Sequence, residues 1–316
     1  VTTAVLAVLA DSARAVAHRR AGEICVCGED RDAVLADRSD ASVVRHGDVV
    51  AKAHAPDTDP AELAVRLDVA ARMPGVLLAP SAPGATRLHG RLVTFWPHGT
   101  PVDRDDPDSA PWEAAGDLLA RLHAAPVPGP VPPMRGPAKA ARAVARLRAA
   151  GPHPAASPVL RAWAGLPSWA RDEAPAPGPH ALCHGDLHLG QLVRGPDGRW
   201  LLIDVDDLGV GDPAWDLARP AAWFACGLLS PQEWTRFLDA YQDAGGPAVP
   251  ADGADPWPAL DVPARALTVQ TAALAIAKAV AAGRPLDEVE QALVDACARM
   301  SGVEVRPPEL APGTTK

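Results

Sequence analysis

The sequence predicts an α+β protein of two lobes, a small β-rich lobe first and a larger, mainly helical lobe second. Three observations carry this reading. Short β-type runs separated by turn residues crowd into residues 24–95. Amphipathic helical periodicity dominates from residue 102 onward. Between them, Trp96-Pro97-His98-Gly99-Thr100-Pro101 reads as a short crossing stiffened by proline. A chain of 316 residues suits two modest lobes around a cleft, and 48% hydrophobic content supports a core. The expected division is 1–95, a hinge at 96–101, a helical lobe at 102–302 and a tail at 303–316.

The first apolar run, Ala4 to Ala10, is about one-third of a membrane span, and no basic segment precedes it. With Ala13, Val16 and Ala17 it fits an amphipathic helix, and no membrane partner is expected. Cys25-Val26-Cys27 alternates with Ile24 as a short strand. Ala33-Val34-Leu35-Ala36 is another. Ser42 to Arg45 and Val49 to His54 are strands around His46-Gly47-Asp48, a hairpin turn in which Gly supplies positive φ. Asp59 and Pro60 read as N-cap and first residue of a helix to about Met73. Residues 75–80 and 88–95 read as two further strands.

Beyond the crossing lies an acidic loop with Asp103, Asp105, Asp106 and Asp108. Trp112 to Ala124 places Ala115, Leu118, Leu119 and Leu122 on one helical face. Residues 126–137 hold six prolines and form a loop. Helices are expected over 139–149, 159–170, 214–228, 231–244, 263–282 and 286–300. The net charge of −9 argues against nucleic acid, which calls for a basic face, and is compatible with a cationic small-molecule partner. Five cysteines, an odd number with no secretory pattern, fit reduced thiols in the cytoplasm.

The chemistry concentrates between His184 and Asp204. His184-Gly185-Asp186-Leu187-His188-Leu189-Gly190-Gln191 precedes an apolar run, Trp200-Leu201-Leu202-Ile203, that ends in Asp204. Leu192-Val193-Arg194 and Arg199 to Val205 can pair across Gly195-Pro196-Asp197-Gly198, a strong turn signal. That pairing brings Asp204 back beside Asp186 and Gln191. Phosphoryl transfer needs such groups: one carboxylate to orient the attacking hydroxyl and accept its proton, and hard oxygen ligands for Mg²⁺. Asp186 takes the first role, Asp204 and the Gln191 amide oxygen the second. The competing readings are a turn aspartate with a strand-end carboxylate, and a metallohydrolase built on the His184, Asp186, His188 pattern. The latter lacks a second histidine cluster downstream. Asp212 and Pro213 read as a helix cap, and Asp216 suits the first helical turn.

The motifs His184-Gly185-Asp186, Ile203-Asp204 and Gly211-Asp212-Pro213-Ala214-Trp215-Asp216-Leu217-Ala218, preceded by Leu119 to His123, resemble the aminoglycoside phosphotransferase and choline kinase-like family. The resemblance implies a bilobal, protein kinase-like fold and a small-molecule kinase using ATP or GTP with Mg²⁺. It implies Asp186 as catalytic carboxylate, Gln191 and Asp204 as metal ligands, and His184, His188, Asp206 and Asp216 as supporting residues. Gln191 stands where Asn is commonest, and His188-Leu189-Gly190-Gln191 resembles the maltokinase and glucosamine kinase branch. No Gly-rich phosphate loop is visible, and the turn Asp37 to Asp40 is its stand-in.

Lys52, on a strand followed by a helix, matches the nucleotide-phosphate lysine of kinase-like folds. Its acidic partner is expected in that helix, with Glu62 preferred over Asp68. Thr94-Phe95-Trp96 is the expected interlobe segment, whose backbone would meet adenine; Trp96 equally suits packing. The acceptor is expected to be an aminoglycoside-like antibiotic or amino sugar, with a sugar of the maltokinase type as alternative. A non-catalytic nucleotide-binding protein is the rival from another class. Acceptor identity and oligomeric state have no sequence signal.

Overall fold

The computed structural model describes residues 3–21, 32–38, 40–103, 105–178, 180–251 and 253–300. The expected Cys25–Cys27 strand and the tail from 303 lie outside these residues, as does part of the Asp37 to Asp40 turn.

The elements in chain order are α1 (Thr3–Ala21), β1 (Asp32–Asp37), β2 (Ser42–His46), β3 (Val49–Ala53), α2 (Pro60–Arg72), β4 (Thr86–Leu88), β5 (Arg91–Pro97), β6 (Thr100–Pro101) and α3 (Trp112–Ala124). There follow α4 (Gly136–Ala149), α5 (Ala156–Ala164), β7 (Ala181–Cys183), β8 (Leu192–Arg194), β9 (Trp200–Leu202) and β10 (Gly209–Gly211). The chain then runs through α6 (Ala214–Ala225), α7 (Pro231–Asp243), α8 (Trp257–Ala282) and α9 (Glu288–Met300). An antiparallel N-terminal sheet followed by a mainly helical region is thus the observed architecture, as expected.

The chain divides into two compact units. One comprises Val1–Met134, His180–Pro213 and Thr235–Pro247; the other comprises Arg135–Pro179, Ala214–Trp234 and Ala248–Lys316. This differs from the expected cut at residues 95–101, and strand pairing is the reason. Thr100 pairs with Arg194 and Pro101 with Val193, while Leu77 bridges Leu202. These ladders put the loop-and-hairpin segment in the same unit as the N-terminal sheet.

The first unit is built on a five-stranded sheet in the order β1-β2-β3-β5-β4. The β2–β3 hairpin turns through Gly47 at φ 58°, as its sequence requires. Its core joins Val44, Val49, Ala51, Ala53, Val93 and Phe95 to Leu9 and Ala13 of α1. Asp59 caps α2, accepting from the Ala61 and Glu62 N–H groups at 2.7 and 3.0 Å, with Pro60 in the first turn.

Two strand expectations change. Residues 88–95 are not one strand: His89 (φ 46°) and Gly90 (φ 78°) turn the chain between β4 and β5. Two successive positive φ values give a tight hairpin, and His-Gly was not recognised as its signal. Residues 75–80 do not form a strand; their pairing is confined to Val76–Leu78 on Leu202. Gly75 at φ 89° and Pro80 limit its extension.

The second unit packs α4, α6 and α9 against α8. α8 begins at Trp257, not Pro263, and carries Pro263 inside. It is long and apolar enough to cross a membrane, but 67% of its apolar window is buried, which marks a core helix. α5 ends at Ala164 where the 159–170 helix was expected; Gly165 caps it and a 3₁₀ turn at Ser168–Arg171 follows Pro167.

Candidate active site

The loop after β7 and the β8–β9 hairpin form one hydrogen-bonded piece. Leu192 faces Leu202, Val193 faces Leu201, and Arg194 faces Trp200. Just beyond, the Ile203 N–H donates to the Gln191 carbonyl at 2.9 Å. His184 Nε2–H donates to the Ile203 carbonyl at 2.7 Å. These two bonds hold the residue before Asp204 from both ends of the loop that carries Asp186. Asp186 is half-buried and Gln191 buried. His188 shapes the same loop, its Nδ1 accepting from the Gly190 N–H at 3.0 Å.

Asp204 has φ 66° and ψ 78°, a left-handed conformation that a non-glycine residue adopts at a cost of about 1–3 kcal/mol. The chain just before it is firmly held: the Leu202 N–H donates to the Val76 carbonyl and its carbonyl accepts from the Leu78 N–H, each at 2.9 Å. The conformation aims the Asp204 carboxylate at Lys52.

Lys52 Nζ donates to Asp204 Oδ1 at 2.7 Å and lies 3.0 Å from Asp206 Oδ2. Burial pulls its ammonium down, but the charges of Asp204 and then Asp206 outweigh burial, and the group is held above its ordinary value. Burial pushes Asp206 up, while Lys52 and His54 pull harder; the net direction is well below the usual carboxylate range. Lys52 is therefore a charged, nearly buried ammonium clasped by two carboxylates.

Glu62 does not partner Lys52. Its carboxylate lies 3.0 Å from Arg66 Nη1, one turn along α2, and is 45% exposed. Asp68 is likewise taken, by Arg72 at 2.9 Å. An i,i+4 arginine competes locally for each, and Asp204 and Asp206, just beyond β9, hold Lys52 instead. Glu62 contributes at one remove: it orients Arg66, a buried side chain whose Nε donates to the Leu208 carbonyl at 2.8 Å. α2 is thereby tied to the chain just after Asp206.

The expected adenine segment is a packed strand. Phe95 and Trp96 are both buried, and the Phe95 carbonyl accepts from the Ser81 N–H at 2.7 Å. Trp96 Nε1–H donates to Thr94 Oγ1 at 2.8 Å, which supports the packing alternative. Asp216 is buried in the first turn of α6.

His54 was missed. It is fully buried, with Nε2 2.8 Å from Thr94 Oγ1. Its Nδ1 lies 2.9 Å from Asp206 Oδ1, with poorer alignment than an ideal hydrogen bond. A carboxylate at that distance keeps the proton on Nδ1, so Nε2 accepts from the Thr94 hydroxyl. The available signal was period two: Lys52 and His54 lie two residues apart and share a face where β3 ends. Replacing His54 with Ala removes one side of this chain and leaves buried polar groups unpaired. A loss of about 1–3 kcal/mol in denaturant unfolding is expected, with a higher KM for nucleotide. Unchanged stability and KM would show that Asp206 needs no such support.

The APH phosphotransferase enzyme family matches residues 29–260. A comparison with curated proteins gives no match. Among solved structures, a choline/ethanolamine kinase family protein from Mesorhizobium loti superposes with a TM-score of 0.57 at 20% identity, covering 94% of this chain and 95% of that one. A thermostable mutant of aminoglycoside phosphotransferase APH(4)-Ia gives 0.61 at 15% identity, covering 91% and 99%. Amicoumacin kinase hAmiN, in complex with AMP-PNP, Ca²⁺ and Ami, gives 0.60 at 16% identity, covering 91% and 92%. These likenesses show a shared fold. The family match takes in all but α1 of the first unit's sheet-and-hairpin framework, and on that ground the chain belongs to the APH phosphotransferase enzyme family of small-molecule kinases.

Proposed function

We propose that this kinase transfers the γ-phosphate of ATP or GTP to a hydroxyl of a small molecule, using Asp186 as the catalytic carboxylate. The observation that carries it is the clasp of Lys52 by Asp204 and Asp206, beside the loop that bears Asp186. Two partly exposed carboxylates already converge on one cation, and Gln191 adds an amide oxygen from the adjoining loop. That donor set is all hard oxygen and fits Mg²⁺. Asp204 and Gln191 would hold the metal, with Asp206 in support. Bound there, Mg²⁺ would neutralise charge on the nucleotide phosphates.

The residues of the chain do the rest. Asp186 orients the acceptor hydroxyl and takes its proton. Lys52, kept charged by its carboxylates, is the cation available to the phosphates. His184 and the Gln191 carbonyl fix Ile203, and so set the spacing between Asp186 and Asp204. Catalysis is then mostly positioning and charge compensation.

An aminoglycoside-like compound or amino sugar is the favoured acceptor, since the chain is acidic overall. Gln191 favours a second reading, a sugar acceptor of the maltokinase or glucosamine kinase type. ADP release measured across aminoglycosides, amino sugars, maltose and amino alcohols separates them. Turnover with cationic acceptors alone supports the first reading and turnover with neutral sugars the second. ATP bound but never turned over, whatever the acceptor, would favour a non-catalytic nucleotide-binding protein.

Lys52→Ala removes the only cation seen between the two carboxylates among the described residues. KM for ATP is expected to rise by about tenfold or more, equivalent to ~1.4 kcal/mol of lost binding. Unchanged ATP kinetics would take Lys52 out of the phosphate site.

A further inference from the structure

Outside the candidate active site, helices α6, α8 and α9 of the second unit line a half-open cavity of about 180 Å³. Its room comes from small residues: Ala222, Ala225, Ala264 and Ala296 all line it. A cavity of about 150 Å³ with apolar walls holds a benzene-sized molecule, so the space admits a ring. Trp257 supplies one wall, and its ring packs against Phe224 and Trp234 with centroids 6.3 Å apart in each case.

The polar lining is lopsided. Arg265, only 7% exposed, projects from α8. Its Nη1 is 3.5 Å from Asp261 Oδ2, and its Nη2 donates to the Met300 carbonyl at 3.3 Å. Both contacts are long. Its Nε is buried and has no partner among the described residues. Arg299 lines the cavity from α9 and makes no ion pair among the described residues. Against these two cations stands one carboxylate, Asp261, itself 52% exposed. A guanidinium taken out of water is stable when an anion and good hydrogen bonds compensate it, and here both are weak. Arg geometry, with parallel donors, suits a carboxylate.

We propose that this cavity is a binding site for a small organic carboxylate with a flat apolar body, its acid group on Arg265 and Arg299 and its ring among the alanines and Trp257. The site draws on the second unit alone and involves none of the residues assigned to phosphoryl transfer.

Cys226 lines the same cavity and is half-buried, so it reports occupancy directly. Burial pushes its thiol above the ordinary value, so alkylation is run on the alkaline side of neutral. The full-length protein is treated with N-ethylmaleimide, with and without indole-3-acetate or benzoate, and the Cys226 peptide is followed by mass spectrometry. Indole-3-acetamide and benzamide serve as neutral isosteres. Alkylation of Cys226 is expected to slow by roughly tenfold once the acid exceeds its Kd by that factor. The amides should protect far less. Arg265→Met should abolish protection, and Arg299→Gln, at an exposed position that does not threaten folding, should weaken it. No protection by either acid, equal protection by the amides, or undiminished protection in both variants would each overturn the site. Because the readout is alkylation, its failure leaves the kinase reading untouched, and a chain without kinase activity would still show protection.

Discussion

Replacing Asp186 with Asn is expected to lower kcat by about 10²–10⁴-fold, the usual contribution of a positioned general base, while nucleotide binding survives. The substitution keeps shape and one acceptor oxygen but removes the group able to take the hydroxyl proton. Asp186 is the proposed base, and it is half-buried. The loop carrying it is pinned by His184 Nε2–H on the Ile203 carbonyl at 2.7 Å and by the Ile203 N–H on the Gln191 carbonyl at 2.9 Å. Neither bond uses the Asp186 carboxylate, so Asn should leave them standing. Lys52, Asp204 and Asp206 form their own clasp and should still receive nucleotide. Calorimetric titration with Mg-ATP and ADP release with the best acceptor together make the test. Wild-type turnover in Asp186→Asn would remove the residue from the chemistry. Loss of nucleotide binding alongside turnover would instead mean that it supports the site's structure.

How much of this could be read in advance follows the range of the interactions. The Asp59–Pro60 start of α2 and the turn at Gly195–Gly198 were legible because cap and turn chemistry act within a few residues. The positions of Gln191 and Asp204 around the hairpin followed from the same local pairing. What was misread depended on distant chain. Glu62 looked like the partner of Lys52 until Arg66 and the carboxylates of Asp204 and Asp206 were in place. His54 became a site residue only because Thr94 and Asp206 converge on it. Of the two uses open to Trp96, its bond to Thr94 and its place in the sheet favour packing, and both depend on strand pairing. The start of α8 was misplaced because Pro263 reads as a first-turn proline, and burial among α4, α6 and α9 overrides that local preference. Local rules thus placed the His184–Gln191 loop beside the hairpin that leads to Asp204, and tertiary competition decided which charges meet around Lys52.

The other large effect is expected at Gly185, the residue between His184 and Asp186. Its φ is +84°, and a Cβ built there would lie 2.4 Å from the Asp207 carbonyl oxygen and 3.0 Å from its carbon. The obstacle is backbone, so no rotamer change can relieve it. Gly185→Ala therefore suffers twice: about 1–2 kcal/mol for an L residue in the left-handed region and about 1–3 kcal/mol for overpacking. For a chain of this size the sum corresponds to a fall in Tm of roughly 3–8 °C. The relief available is to push the Asp186 loop and the Asp204–Asp207 segment apart, which separates the two carboxylates to which the proposed reaction is assigned. Activity should fall even at temperatures where the variant remains folded. Gly198→Ala isolates the two causes, because Gly198 has φ +79° but nothing within 4 Å of a Cβ. It should show only the backbone cost, with kcat near wild type. If the two variants lose stability and activity equally, close contact between the catalytic loop and Asp207 plays no part in setting the site.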